Sequence, residues 1–159
     1  MRVAIDFHDT ITYKPGLFGS IIDSLKEQGH EIYIISGTPE KEIDTIKSSL
    51  EQLDIEYDYL LCGFNYDKEH MDGNHFKKMA DWKLYLCKQY NIDIYIDDNP
   101  YYVKKIANEG ILVLQTILSE EYIDQFSKKD PYFTCNLQAK QFDFLNSDFI
   151  LERKTTNIS

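Results

Sequence analysis

Arg2-Val3-Ala4-Ile5-Asp6-Phe7-His8-Asp9-Thr10 is the stretch that decides the fold. A short apolar run, Val3 to Ile5, ends abruptly in a carboxylate, and polar side chains and a threonine follow at once. An apolar run of this length with polar bounds reads as a buried strand. In open α/β sheets, chemistry collects just past the carboxyl ends of the strands. Asp6 would stand at such an end, with Asp9 and Thr10 in the turn after it. Taken alone, the stretch reads equally well as an N-terminal strand running into a polar turn.

Two further stretches repeat the pattern. Glu31-Ile32-Tyr33-Ile34-Ile35-Ser36-Gly37-Thr38-Pro39 is a strand ending in a hydroxyl and a glycine, and Asp93-Ile94-Tyr95-Ile96-Asp97-Asp98-Asn99-Pro100 is a β-prone run ending in acids. Packing alone does not explain three strands that each end in polar groups, whereas parallel strands lying side by side would bring all three ends to one edge. Helical spacing fills the gaps. Leu17, Ile21, Ile22 and Leu25 recur at that spacing and Gly29 stands where a helix would stop. Thr38-Pro39-Glu40-Lys41-Glu42 reads as a helix start, with Thr38 capping and proline in the first turn, and Ile43, Ile46, Leu50 and Leu53 supply its buried face. Residues 76–90 are helical, and Asn99-Pro100 opens another helix that Gly110 stops. Strands are expected near residues 3–5, 32–35, 57–62, 92–96 and 111–114. Strands alternating with helices predict a three-layer, Rossmann-like α/β fold, a parallel sheet wound with right-handed crossovers and flanked by helices.

Taken in order, these residues resemble the haloacid dehalogenase superfamily of phosphotransferases. That family opens on an apolar strand ending Asp-x-Asp-x-Thr, here Asp6-Phe7-His8-Asp9-Thr10. Its second motif is a strand ending in Ser or Thr, here Ser36. Its third is a lysine on a helix, and its fourth is often an apolar run ending Asp-Asp, here Asp97-Asp98. The likeness covers about the first two-thirds of the chain. Individually the motifs are short; the ordered set is far more specific. One position departs from the pattern: the second aspartate, which usually works as acid and base, is His8 here. The connection after Thr10 is too short to hold an inserted cap domain, so the resemblance is to capless members.

The resemblance implies Mg²⁺-dependent hydrolysis of a phosphomonoester through an aspartyl-phosphate on Asp6, with a nucleotide or nucleic-acid end as substrate. A carboxylate can attack phosphorus, and its repulsion from the anionic phosphoryl group must be cancelled. Mg²⁺ suits this, because it prefers hard oxygens and is commonly held by one or two carboxylates plus phosphate and water. Asp6 and Asp98 are the expected direct metal ligands, and the resemblance implies the backbone carbonyl of His8 as the third. A backbone ligand survives replacement of its side chain. Asp97 would be an outer or alternative ligand. Ser36 and the amides of Gly37 and Thr38 follow a strand and precede a helix start, which is an anion site, although Ser36-Gly37 by itself reads as a turn. Lys83 is the expected motif lysine, binding phosphate and placing positive charge beside Asp6; its separation from Asp98 resembles that in capless members, and Lys77 and Lys78 compete for the role. His8 titrates near neutrality in its unperturbed state, so it can serve as acid or base. It either replaces the missing aspartate or marks lost turnover. Asp9 substitutes only if the turn rearranges.

Composition sets the outer bounds. A chain of 159 residues with 43% hydrophobic and 28% charged residues fits one globular domain with a real core. A formal net charge of -10 argues against an extended nucleic-acid-binding surface, which needs a basic footprint, but not against a small phosphorylated substrate paired with a divalent cation. Cys62, Cys87 and Cys135 are scattered and odd in number, so reduced thiols and a cytoplasmic location are expected rather than a disulfide framework or structural zinc. The proposed catalytic strand at the very N-terminus leaves no room for a signal peptide, and no apolar run is long enough to span a bilayer. The chemistry leaves the oligomeric state open.

The remaining stretches fit less tightly. Residues 63–75 are irregular and polar, with His70 and His75. A metal site there lacks supporting spacing, and a flexible loop at the substrate entrance is the expectation. The core is expected to occupy residues 1–116, with 117–159 as a C-terminal extension packed on it. Residues 118–126 could form a helix, and 131–151 are rich in aromatics, including Tyr132, Phe133, Phe142, Phe144 and Phe149. A frayed tail follows from 154. Two rivals to the phosphatase reading stay open: a catalytically weakened phosphate-binding or regulatory protein on the same fold, and an interaction protein that uses the aromatic C-terminal part.

Overall fold

The computed structural model describes residues 1–64, 74–116 and 150–153. Its centre is β1 (Arg2–Asp6), in which Val3, Ala4 and Ile5 are all buried. A strand covered on both faces carries no polar alternation, hence the unbroken apolar run. The chain continues through α1 (Pro15–Glu27), β2 (Glu31–Ile35), α2 (Ile43–Gln52), β3 (Tyr59–Cys62), α3 (His75–Gln89), β4 (Ile94–Asp97), α4 (Pro100–Ala107) and β5 (Leu112–Gln115). These five strands are parallel. β6 (Ile150–Arg153) adds a sixth, antiparallel to β3, and the sheet runs β5-β4-β1-β2-β3-β6. The α/β architecture is the expected one, a Rossmann-like parallel sheet with helices on both faces and, among the described residues, no cap domain. The antiparallel edge strand is an addition that no alternation in the sequence announces.

Strand parity divides the core in two. Val3, Ile5, Ile32, Ile34, Leu60 and Ile96 face one side, against Phe18 and Ile22 of α1 and Ile46 and Leu50 of α2. Ala4, Tyr33, Ile35, Leu61 and Tyr95 face the other, against Trp82 and Leu86 of α3 and Tyr102 and Ile106 of α4. Successive strand residues point to opposite faces, so each side chain of the site has its face fixed before any contact is considered.

Helix ends explain where the chain turns. α1 starts at Pro15, whose fixed φ suits a first helical position. It stops at Gly29, which takes φ 77 while the His30 amide donates to the Leu25 carbonyl at 3.0 Å. Asn99 caps α4, its Oδ1 accepting from the Tyr101 and Tyr102 amides, as the Asn99-Pro100 pair predicts. The expected start of α2 is wrong in detail. Thr38 caps no helix; its hydroxyl pairs with Ser36. Pro39 leads into a single 3₁₀ turn, Glu40–Glu42, and α2 begins at Ile43. The hydroxyl is directed to Ser36 instead of to a helix amide. β3 also starts later than expected, at Tyr59, because Asp58 stands aside: its carboxylate accepts from the Ile32 amide at 2.8 Å and from Lys26 at 2.8 Å.

Several expectations lie outside the described residues: the loop over 65–73 with His70, the helix at 118–126, the aromatic run up to 149, Cys135 and the tail from 154. No helix among the described residues is long and apolar enough to cross a membrane.

Candidate active site

Register assembles the site. Asp6 lies opposite Ile35, so Ser36 is one step beyond it on β2, and Ile5 lies opposite Ile96, so Asp6 and Asp97 end neighbouring strands. Asp6 has the parity of Ala4, and Asp97 that of Tyr95, so both carboxylates turn to the α3/α4 side. α3 presents its inner face there. His75, Met79, Trp82, Lys83, Leu86 and Cys87 follow helical spacing along that buried face, and Lys83 is the one cation on it. Its Nζ donates to Asp6 Oδ1 at 2.6 Å and to Asp97 Oδ2 at 2.7 Å, with Lys83 2% exposed. Lys77 and Lys78 are half-buried residues outside that stripe.

Asp98 has the opposite parity. It meets the turn after β1, where Thr10 Oγ1 donates to its Oδ1 at 3.3 Å. That turn is wide: the Thr12 amide closes it on the Phe7 carbonyl at 3.1 Å, with His8 extended (φ -74, ψ 137) and Asp9 left-handed (φ 57). Aspartate tolerates that region better than most residues, and the Asp9 amide donates to Thr12 Oγ1 at 3.0 Å. Asp9 is exposed and stands apart from the three buried acids. The exposed imidazole of His8 lies edge-on to Phe7, with Nδ1 3.4 Å from Ser36 Oγ. Ser36 and Thr38 are buried, and their hydroxyls bond each other at 2.8 Å. Gly37 between them is backed by Met79: a Cβ there would fall 2.4 Å from Met79 Cε. The lack of a side chain at 37 lets α3 approach the loop.

Charge is unbalanced. Asp6, Asp97 and Asp98 each offer a carboxylate oxygen within 4.8 Å of the others, all three are buried, and Lys83 is the ammonium among them. When every group is ionised, two negative charges are unmatched, the charge of one divalent cation. Burial pushes the Asp6 carboxyl well above the usual range, against the pull of Lys83 and helped by the charges of Asp97 and Asp98. Burial works against the Lys83 ammonium, but Asp6 and Asp97 outweigh it and hold its pKa above the ordinary lysine value. Three hard oxygen donors with an excess of negative charge fit Mg²⁺.

The two members of the acid pair are differently placed. Asp97 is fully engaged: Oδ2 accepts from Lys83 and from the Tyr95 hydroxyl, and Oδ1 accepts from the Asn99 amide at 2.8 Å. Asp98 accepts from the Thr10 hydroxyl on the opposite side, toward the turn after β1. The arrangement can therefore present Asp6 and Asp98 to a cation while Asp97 anchors Lys83. His75, weighed as a ligand, packs between the rings of Phe64 and Phe76, apart from the acids. Cys62 and Cys87 are buried thiols outside any disulfide, and burial pushes the Cys87 thiol up to about 12. Sequence reasoning passed over Tyr95, Tyr102 and Asn99 as site residues. Tyr95 carried a usable signal, since it shares Asp97's face two residues earlier.

Two solved structures share the α/β fold of this chain. Both are described as complexes of Pnkp1, Rnl and Hen1, one of them as an RNA repair complex. They match with TM-score 0.57 at 17% and 18% identity, over 75% of this chain in each case. This chain spans 46% and 43% of the length of those chains. Weaker likenesses, at TM-scores of 0.44 and 0.47, are to the core domain of a Streptococcus pneumoniae TIGR4 protein proposed to be a phosphoglycolate phosphatase and to a glycosyltransferase from Rickettsia africae ESF-5. Their identities are 17% and 18%, over 81% and 79% of this chain and 96% and 33% of theirs. The two likenesses at TM-score 0.57 bear on the fold alone and leave the chemistry to the site. No protein-family model matches the sequence, and no curated protein does.

Proposed function

We propose that this chain is a capless, Mg²⁺-dependent phosphomonoester hydrolase of haloacid dehalogenase type. The observation that carries the reading is Asp6, a buried strand-end carboxylate gripped by Lys83 beside the Asp97-Asp98 pair, with Ser36 one residue beyond its partner on β2. Asp6 attacks phosphorus, the ester P–O bond breaks, and the leaving oxygen takes a proton from the His8 imidazolium. Water then attacks the aspartyl-phosphate, His8 as imidazole takes its proton, and phosphate leaves. Ser36, Thr38 and the Gly37 amide hold phosphoryl oxygens, and Lys83 offsets the charge around Asp6. Mg²⁺ would be held by Asp6, Asp98 and the His8 backbone carbonyl, with Asp97 behind them; when bound it neutralises the negative charge shared by carboxylates and phosphate.

The substrate we favour is small: a nucleotide or a nucleic-acid end, the latter in keeping with the RNA repair complex in which a similar fold occurs. The acidic chain has no need of an extended nucleic-acid surface for this, and we place it in the cytoplasm, away from membranes. Residues 1–116 form the catalytic unit on this reading, with 117–159 an extension packed on it. Within that extension, Ile150–Arg153 pairs with β3 and so joins the sheet of the core.

The second reading, a phosphate-binding or regulatory protein with weakened turnover, draws on one observation: the group in the acid/base position is an exposed imidazole directed to Ser36. One experiment tests the first reading. Wild type with Mg²⁺ is expected to hydrolyse phosphomonoesters and to bind beryllium fluoride. Asp6→Asn should keep the fold and lose both properties. Asp98→Asn should blunt the rise in melting temperature that Mg²⁺ gives by mass action. Wild-type rates in Asp6→Asn would sink the mechanism.

A further inference from the structure

We propose that Tyr102 and Tyr95 are positioning residues that aim the Lys83 ammonium at Asp6. The proposal rests on the reading that Lys83 offsets charge at that carboxylate. Lys83 has three N–H donors. Two go to Asp6 and Asp97. The ammonium also lies 4.5 Å from the Tyr102 ring centroid and 5.9 Å from that of Tyr95, inside the roughly 6 Å range of a cation–π attraction. Carboxylates thus hold it on one side and aromatic surface covers another.

Each tyrosine contributes a different restraint. Tyr95 donates its hydroxyl to Asp97 Oδ2, the oxygen that also accepts from Lys83. Asp97 Oδ1 is occupied by the Asn99 amide. Tyr95 and Asn99 thus fix Asp97, and Asp97 in turn holds the Lys83 ammonium within reach of Asp6. Tyr102 is fixed by the turn that carries the acids: its amide donates to Asn99 Oδ1 at 3.4 Å, and its ring stacks on Phe76 of α3 at 6.2 Å. The ring is 8% exposed and packs where water would otherwise solvate the ammonium.

A π face attracts a cation without claiming a particular proton. As phosphoryl transfer moves negative charge from the Asp6 carboxylate to the phosphoryl oxygens, an ammonium backed by a ring can follow it.

The test combines the side-chain NMR signals of Lys83 with kinetics on p-nitrophenyl phosphate and Mg²⁺. In wild type the Lys83 ε-methylene should be shifted upfield by the Tyr102 ring current. Tyr102→Leu should abolish that shift and lower kcat about tenfold or more, with KM within about twofold. Tyr102→Phe, which keeps the ring, should restore both. Tyr95→Phe, a change of one oxygen, should lower kcat with KM held and serves if Tyr102→Leu fails to fold. An unshifted Lys83 signal in wild type overturns the proposal. So do wild-type kcat in Tyr95→Phe, and equal losses in Tyr102→Phe and Tyr102→Leu that track melting temperature. If wild type turns over no phosphomonoester but Lys83 is shifted and Tyr102→Leu removes the shift, the positioning stands and the phosphatase reading falls.

Discussion

At the scale of single residues, His8 and Asp6 decide whether the site turns over. His8 sits on the extended leg of the turn after β1, exposed and 3.4 Å from Ser36. If it carries the proton in both half-reactions, His8→Ala should lose about 10²–10⁴-fold in rate, the usual cost of removing a general acid/base. His8→Asp should keep activity with a changed pH profile. Steady-state rates across pH for the three proteins check this; no loss in His8→Ala favours the phosphate-binding reading.

Asp6 makes a separate prediction about pH. Burial holds its carboxyl well above the usual aspartate range, so in the metal-free protein the folded state binds this proton more tightly than the unfolded chain does. A raised carboxyl is most favourable to the fold at low pH. That contribution is lost as pH climbs from about 4 through the folded pKa, by at most about 1.4 kcal/mol per pH unit. Denaturant unfolding of metal-free wild type, relative to Asp6→Asn, should show this falling difference. Mg²⁺ competes with the proton, so its stabilising effect should grow as pH rises.

At the scale of elements, the loop after β2 and helix α3 fit each other through one missing side chain. Gly37 leaves the space that Met79 fills, and a Cβ would meet Met79 Cε at 2.4 Å and Sδ at 2.7 Å. Both atoms are the far end of a flexible side chain, so Gly37→Ala should be tolerated at a cost of about 1–3 kcal/mol, the range for overpacking. Pairing it with Met79→Ala should recover part of that cost, because contacting sites are not additive. A double-mutant cycle by chemical denaturation measures the coupling; strict additivity would mean the loop moves instead of the methionine. This contact was illegible in the sequence, where Gly37 reads as a turn residue and Met79 as one apolar position of an amphipathic helix. The distance between them depends on how α3 settles on the sheet.

For the whole molecule, the two sheet edges differ. β6 pairs with β3 through four residues at one edge. β5 forms the other, with Leu112 and Leu114 58% and 50% exposed. Ending the chain after Thr116 removes β6 and opens the β3 edge. At roughly 1 kcal/mol net per ladder hydrogen bond, a loss of several kcal/mol is expected, together with a greater tendency to associate through the bare edge. Thermal melts at two concentrations test it: an unchanged, concentration-independent melting temperature would show that β6 adds nothing.

The sequence by itself determined the three central strands and their polar ends, because burial on both faces leaves an apolar run and a strand end at the site leaves a hydroxyl or a carboxylate after it. It also brought Asp6, Ser36 and Asp97-Asp98 to one edge, since parallel strands joined by helices must end together. It did not determine which acid does what. That depends on parity and packing: Asp97 faces α3 and is engaged by Lys83, Tyr95 and Asn99, while Asp98, one residue on, faces the turn holding Thr10. Nor did it determine that Thr38 would bond Ser36 rather than cap a helix, that Tyr102 would lie against the ammonium, or that residues 150–153 would close an edge. Those contacts join residues distant in the chain or choose between two local hydrogen bonds of similar strength, and only the packed tertiary structure makes that choice.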